Sequence, residues 1–154
     1  MPDAKAVIVA AERLSKQKDE AGLELLIGMR AKAIERDPAL EEIVDFEPKY
    51  ETETMGALDD LKALGKRILD GWNKELYGVV CESKDSYQED RKAVLESLTL
   101  GEAAVLAAVA SALLSLGVTA PIAAAVAPLM VKRFIWPAKD ELCAAWVESL
   151  NSVH

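Results

Sequence analysis

Residues 103–131 read AAVLAAVASALLSLGVTAPIAAAVAPLMV and contain no Asp, Glu, Lys or Arg. Of these 29 residues eleven are alanine, five leucine and five valine. A helix that is apolar on every side belongs in the middle of a bundle or in a membrane. The stretch is broken at Leu116-Gly117-Val118-Thr119-Ala120-Pro121. Gly117 suits the position just past a helix end, Thr119 or Ala120 a cap, and Pro121 a first helical turn. This predicts two helices, at 101–116 and 121–135, joined as a tight hairpin. Pro128 falls inside the second and is expected to kink it.

Three readings of the hairpin follow. The preferred one is a central core hairpin, in which Ala104, Ala108 and Ala112, four residues apart, let neighbouring helices pack closely. The second leaves part of it uncovered as an interface with a partner or a second copy of the chain, with Ala104, Ala108 and Ala112 as candidate contact residues. The third is membrane insertion, with Lys132, Arg133 and Trp136 as flanking charges and interfacial aromatic. Each half is then about 15 residues, or some 22 Å of helix, against a hydrocarbon layer about 30 Å thick. Lys132 and Arg133 have an ordinary explanation too, because cations oppose the dipole at a helix C-terminus.

Other amphipathic helices are available to enclose the hairpin. Residues 3–17 carry Val7, Ala11 and Leu14 at helical spacing, with Asp3 as N-cap. The β-branched Val7-Ile8-Val9 admits a short strand, but its only partner would be 77–81, so helix is preferred. Residues 19–36 place Leu23, Leu26, Ile27, Arg30 and Ile34 on one face, with Asp19 as cap and Asp37-Pro38 as stop. Pro38 opens a short helix carrying Leu40, Ile43 and Val44, and 46–54 reads as a connection.

The clearest period lies at 55–80, where Leu58, Leu61, Gly65, Ile68, Trp72, Leu76 and Val79 form an apolar stripe. Asn73 falls among the polar residues expected on the solvated back, and Gly65 marks a place where another helix can come close. Ser86–Glu89 and Thr99–Glu102 both match a capping box. A last helix at 138–151 carries Leu142, Cys143, Trp146, Val147 and Leu150.

A chain of 154 residues fits one domain and buries roughly 70% of its unfolded surface. The expected fold is therefore all-α, a single helical bundle of six to eight helices spanning 1–154. Net charge is −8, and residues 35–60 hold ten acids against two bases, an excess that equals the whole net charge. Such a segment can steer a basic partner or loosely hold a divalent cation, although a solvated connection is the simpler reading. An acidic chain is a poor fit to nucleic acid, whose non-specific affinity comes from phosphate contacts.

The residues for familiar chemistry are missing from the sequence. Histidine occurs once, as His154, which excludes Ser–His and Cys–His nucleophile pairs positioned within the chain. Cys81 and Cys143 stand 62 residues apart without a zinc spacing. Two free, partly buried thiols in a reducing compartment are preferred; a disulfide needs a separation that spacing cannot supply. There is no P-loop, Gly-x-Gly-x-x-Gly or Gly-x-Ser-x-Gly. Adjacent acids such as Asp59-Asp60 or Asp140-Glu141 diverge by about 100° on a helix. A cofactor box from Trp72, Trp136 and Trp146 is conceivable, with core packing the stronger reading. The apolar run Ala6–Ala11 is six residues, short of the roughly 7–15 of a signal core, so a cytoplasmic protein is expected.

The sequence thus points to a non-enzymatic interaction or regulatory module. It is expected to self-associate and to need no metal or cofactor. A membrane-active protein inserting 101–135 is the alternative, and an enzyme with an unrecognised carboxylate site stands third.

Overall fold

The computed structural model describes residues 3–48, 55–82 and 85–152. His154 and residues 49–54 of the expected connection, with Glu51 and Glu53, lie outside them. Among the described residues the fold is all-α, with seven helices and no strand. They are α1 (Ala4–Gln17), α2 (Glu20–Arg36), α3 (Met55–Cys81), α4 (Gln88–Ser97), α5 (Glu102–Ser115), α6 (Ala120–Met130) and α7 (Leu142–Ser152).

The chain's aspartates set the early boundaries. Asp3 accepts from the Lys5 amide at 3.2 Å and Asp19 from the Gly22 amide at 2.7 Å. Each satisfies a first-turn N–H that the helix leaves without a partner. Asp37 does the same for a short 3₁₀ turn, Pro38–Glu42, accepting from the Ala39 amide at 3.2 Å. The short helix expected there is thus only this turn, and Ile43 lies beyond it, exposed.

The later capping boxes do not form. Ser86 lies in a 3₁₀ turn, Asp85–Tyr87, and the residue before α4 is Tyr87, which makes no side-chain cap. The hydroxyl of Thr99 donates back to the Glu96 carbonyl at 2.9 Å, so it closes α4 instead of opening α5. Gly101 then precedes α5. In both places the capping residue is drawn into the preceding turn, a local competition that the four-residue pattern does not encode.

The hairpin forms where the sequence places it. The Val118 amide reaches the Leu113 carbonyl and the Gly117 amide the Leu114 carbonyl, both at 3.0 Å. This is the Schellman closure, and it requires the left-handed backbone that Gly117 adopts at φ +95°. Every residue of α6 is buried. One face of α5 is buried as well, through Val105, Leu106, Val109, Ala110, Ala112 and Leu113. The core reading of the hairpin is therefore what the fold shows for α6, with α1, α2 and α5 packed around it.

Pro128 has no N–H to give the carbonyl four residues back. The helix is disturbed just beyond it: Val131–Ile135 is a π-turn, closed by the Trp136 amide on the Val131 carbonyl at 2.9 Å. Among the described residues no helix is long and apolar enough to cross a membrane.

The face of α3 that is most deeply buried lies slightly round from the stripe. Leu69, Leu76, Val79 and Val80 are essentially inaccessible, while Ile68 and Trp72 are half-buried. Asn73 is buried, not solvated, because Trp146 of α7 donates its indole N–H to the Asn73 Oδ1 at 2.8 Å. Helix α2 crosses α3 at Gly28 and Gly65, with the backbones touching. A Cβ on Gly65 would fall 1.9 Å from the Glu24 carbonyl oxygen, and one on Gly28 1.9 Å from that of Leu61. The close approach expected at Gly65 is thus real, and its partner surface includes a second glycine.

Candidate functional site

The polar side chains inside the bundle are committed to holding it together. Arg30, on the apolar face of α2, is completely buried. Its Nη1 donates to the Pro121 carbonyl at 2.8 Å, its Nε to the Phe46 carbonyl at 3.1 Å, and its Nη2 to the Asp45 carboxylate at 3.0 Å. Arg13 of α1 grips the same carboxylate. One guanidinium therefore ties α2, the segment after the 3₁₀ turn and the start of α6. Burial pushes the Arg30 pKa down, and the ion pair with Asp45 only partly offsets it.

The acidic stretch divides accordingly. Asp45 is ion-paired with Arg13 and Arg30, and Glu47 lies 3.9 Å from Lys18. Glu35, Asp37, Glu41, Glu42, Asp59 and Asp60 are exposed. Among the described residues no three His, Cys, Asp or Glu side chains gather as metal ligands would.

Lys132 and Arg133 sit on the π-turn and serve the joint between α1 and α2. Lys132 donates to the Lys18 carbonyl at 2.9 Å and to that of Ser15, satisfying oxygens at the end of α1. Arg133 meets Glu20 at 2.7 Å and Glu24 at 3.4 Å. Burial opposes the charge on Arg133, but the two glutamates outweigh it and raise its pKa. Trp136 packs half-buried at the core edge, with the Lys139 ammonium 4.2 Å from its ring centroid.

Near Arg133, Asp70 of α3 is partly buried. Loss of solvation raises its pKa, and Glu24 adds to this, while Lys66 and Arg133 pull the other way. A carboxyl whose folded pKa is raised costs stability once pH exceeds its unfolded value, about 4. The cost is complete above the folded pKa and absent below pH 4. Asp70→Asn should therefore raise the unfolding free energy from urea titration at pH 7 by roughly a few tenths of a kcal/mol, solvent screening being substantial. The gain should vanish when the titration is repeated below pH 4; a gain unchanged there would show that charge is not the cause.

The expectation of free thiols is corrected. Cys81, at the end of α3, and Cys143, in the first turn of α7, form a disulfide with their Cα atoms 5.6 Å apart. That separation lies in the ordinary range for a bridge. It arises because α7 folds back along α3, a tertiary fact absent from a spacing of 62 residues.

The other residues singled out as an interface are split by helix rotation. Ala112 is inaccessible, whereas Ala104 and Ala108 are half-buried. The outer side of α5 instead runs through Ala103, Ala107 and Ser111, four residues apart. Just before it stands Leu100, 77% exposed, the most exposed large apolar side chain described. Leu95 of α4 is also exposed. Between α1 and α5 lies an open depression of about 190 Å³ lined by Glu12, Lys16, Glu102 and Leu106 among others. It gathers carboxylates and an ammonium but no paired nucleophile and base, so it has no evident chemistry.

Trp146 is buried edge-on to Tyr77 with ring centroids 5.6 Å apart, and Trp72 and Trp136 pack against the core. All three tryptophans thus pack in the core or against it.

No protein-family model matches this chain, and neither a curated protein nor a solved structure matches it significantly. Fold and side-chain placement define its class: an all-α bundle built around the buried, alanine-rich α6.

Proposed function

We propose that this protein is a cytoplasmic helical interaction module that associates with a second copy of itself. The observation that supports this is the apolar corner before α5, where Leu100 and Ala103 are exposed beside the half-buried Ala107 and Ser111. Large aliphatic side chains contribute most when they are covered, and small residues beside them let another helix come close. The polar groups of the interior are occupied in holding helices together, so they offer no chemistry that would favour an enzyme.

The test is molar mass by light scattering across concentration. The wild type should approach twice the chain mass at tens of micromolar. Leu100→Asp and Ala103→Glu, both at exposed positions, should keep their circular dichroism and melting point yet remain monomeric. A wild-type monomer throughout the micromolar range would overturn the reading.

A membrane-active role has one observation in its favour, the complete burial of α6. It requires the bundle to open, and dye release from anionic vesicles by the wild type would support it.

A further inference from the structure

We infer that α7 is a redox-releasable latch: the Cys81–Cys143 disulfide holds it in an apolar groove formed by α3 and the π-turn, and reduction lets it leave while the rest of the bundle stays folded. Three features combine to give this result. The first is location. The bridge joins the last turn of α3 to the first turn of α7, and both cysteines are only partly buried, so a thiol can reach them.

The second is the weakness of α7 by itself. It has 11 residues, below the roughly 12–15 at which even good sequences form marginal helices in water. Its order therefore depends on docking. It follows Pro137 and a short 3₁₀ turn, Lys139–Glu141, a separate backbone segment that can pivot. The third is that the docking centres on one ring. One buried ring, Trp146, donates one hydrogen bond to Asn73 and meets the edge of Tyr77, with Leu142 buried and Leu150 partly buried nearby. By contrast the Arg30 hydrogen bonds and the Gly28–Gly65 crossing are made by residues outside α7.

The chemistry balances with a dithiol as reductant. Its thiolate attacks one cysteine sulfur, the Cys81–Cys143 bond breaks, and the released sulfur takes a proton. The second thiol of the reductant resolves the mixed disulfide. The pair gains two electrons and two protons, and the dithiol becomes a disulfide. On the cytoplasmic reading proposed above, a disulfide of this kind is characteristically a transient, sensing one.

The experiment is hydrogen exchange of the full chain, oxidised and after treatment with dithiothreitol, with Cys81→Ser/Cys143→Ser as a permanently reduced form. Thiols are first counted by alkylation under denaturing conditions. Reduction should raise exchange across 142–152 by on the order of a hundredfold, the effect of losing, with the bundle still folded, the closure of the loop of about eight residues between the π-turn and Cys143. Exchange in α2, α5 and α6 should change less than about threefold, and the double variant should match the reduced protein. Trp146 emission should shift to the red as its ring meets water. Two alkylatable thiols in protein never exposed to reductant, and unmoved by mild oxidation, would overturn the inference. So would unchanged protection in 142–152, or loss of protection throughout the bundle, which would make the bridge a global staple.

Discussion

Gly28→Ala and Gly65→Ala will each destabilise the protein severely, although alanine is the better helix former. In isolation the exchange favours the helix by about 1 kcal/mol. Here the new methyl carbon falls 1.9 Å from a carbonyl oxygen of the facing helix, of Leu61 for Gly28 and of Glu24 for Gly65. The obstacle is backbone, which cannot rotate away as a side chain can. Helices α2 and α3 must separate by more than an ångström along their contact, loosening the packing of Leu23, Leu26 and Leu69 as they go. The net cost should be about 3 kcal/mol or more, large against a total stability of about 5–15 kcal/mol. Gly71→Ala supplies the internal contrast. Gly71 lies in the same helix with open space around its Cβ position. That change should stabilise by about 0.5–1 kcal/mol. Urea unfolding of the three variants measures this directly, and similar midpoints for Gly65→Ala and Gly71→Ala would contradict the crossing.

Arg30→Met should cost a comparable amount, for a different reason. Methionine fills much of the volume, so the loss is not mainly one of packing. It strips the Pro121 and Phe46 carbonyls of their donor and Asp45 of its buried partner. Each unsatisfied buried acceptor costs about 1–3 kcal/mol, and breaking a buried ion pair from one side about 3–5 kcal/mol. Asp45 retains Arg13 and some exposure, which places the expected loss near 3 kcal/mol. Arg30→Lys should recover little of it, because a single ammonium cannot reach acceptors that the planar guanidinium spans. Thermal melts of both variants, with limited proteolysis of the 43–48 segment, are the measurement. A methionine variant within 1 kcal/mol of the wild type would mean that the network is incidental.

Much of this architecture is written in local pattern. The uncharged run with Gly117 and Pro121 inside it already contains α5, the turn and α6, because a Schellman closure needs only a glycine at the right place and a helix on one side. Asp3 and Asp19 announce helix starts for a similarly short-range reason: the oxygen and the amide it serves are two or three residues apart. Arg30 stood in view as a lone cation on the apolar face of α2. Its position was legible, whereas its three acceptors, up to 91 residues away, were not.

The remainder depended on which surfaces meet. Asn73 reads as a solvent-facing residue until Trp146, 73 residues on, supplies the indole that keeps it inside. Ser86 and Thr99 carry sound capping patterns, but the neighbouring turns claimed their backbones first. Ala112 and Ala108 share a spacing and a residue type, yet one is sealed and the other half open, because covering helices, not composition, set the exposed arc of α5. Cys81 and Cys143 pair only because α7 returns to the end of α3. Caps, turns and amphipathic periods arise from atoms a few residues apart and can be read along the chain. Burial, pairing and exposure arise from contacts between distant segments, and those come into being only when the helices pack.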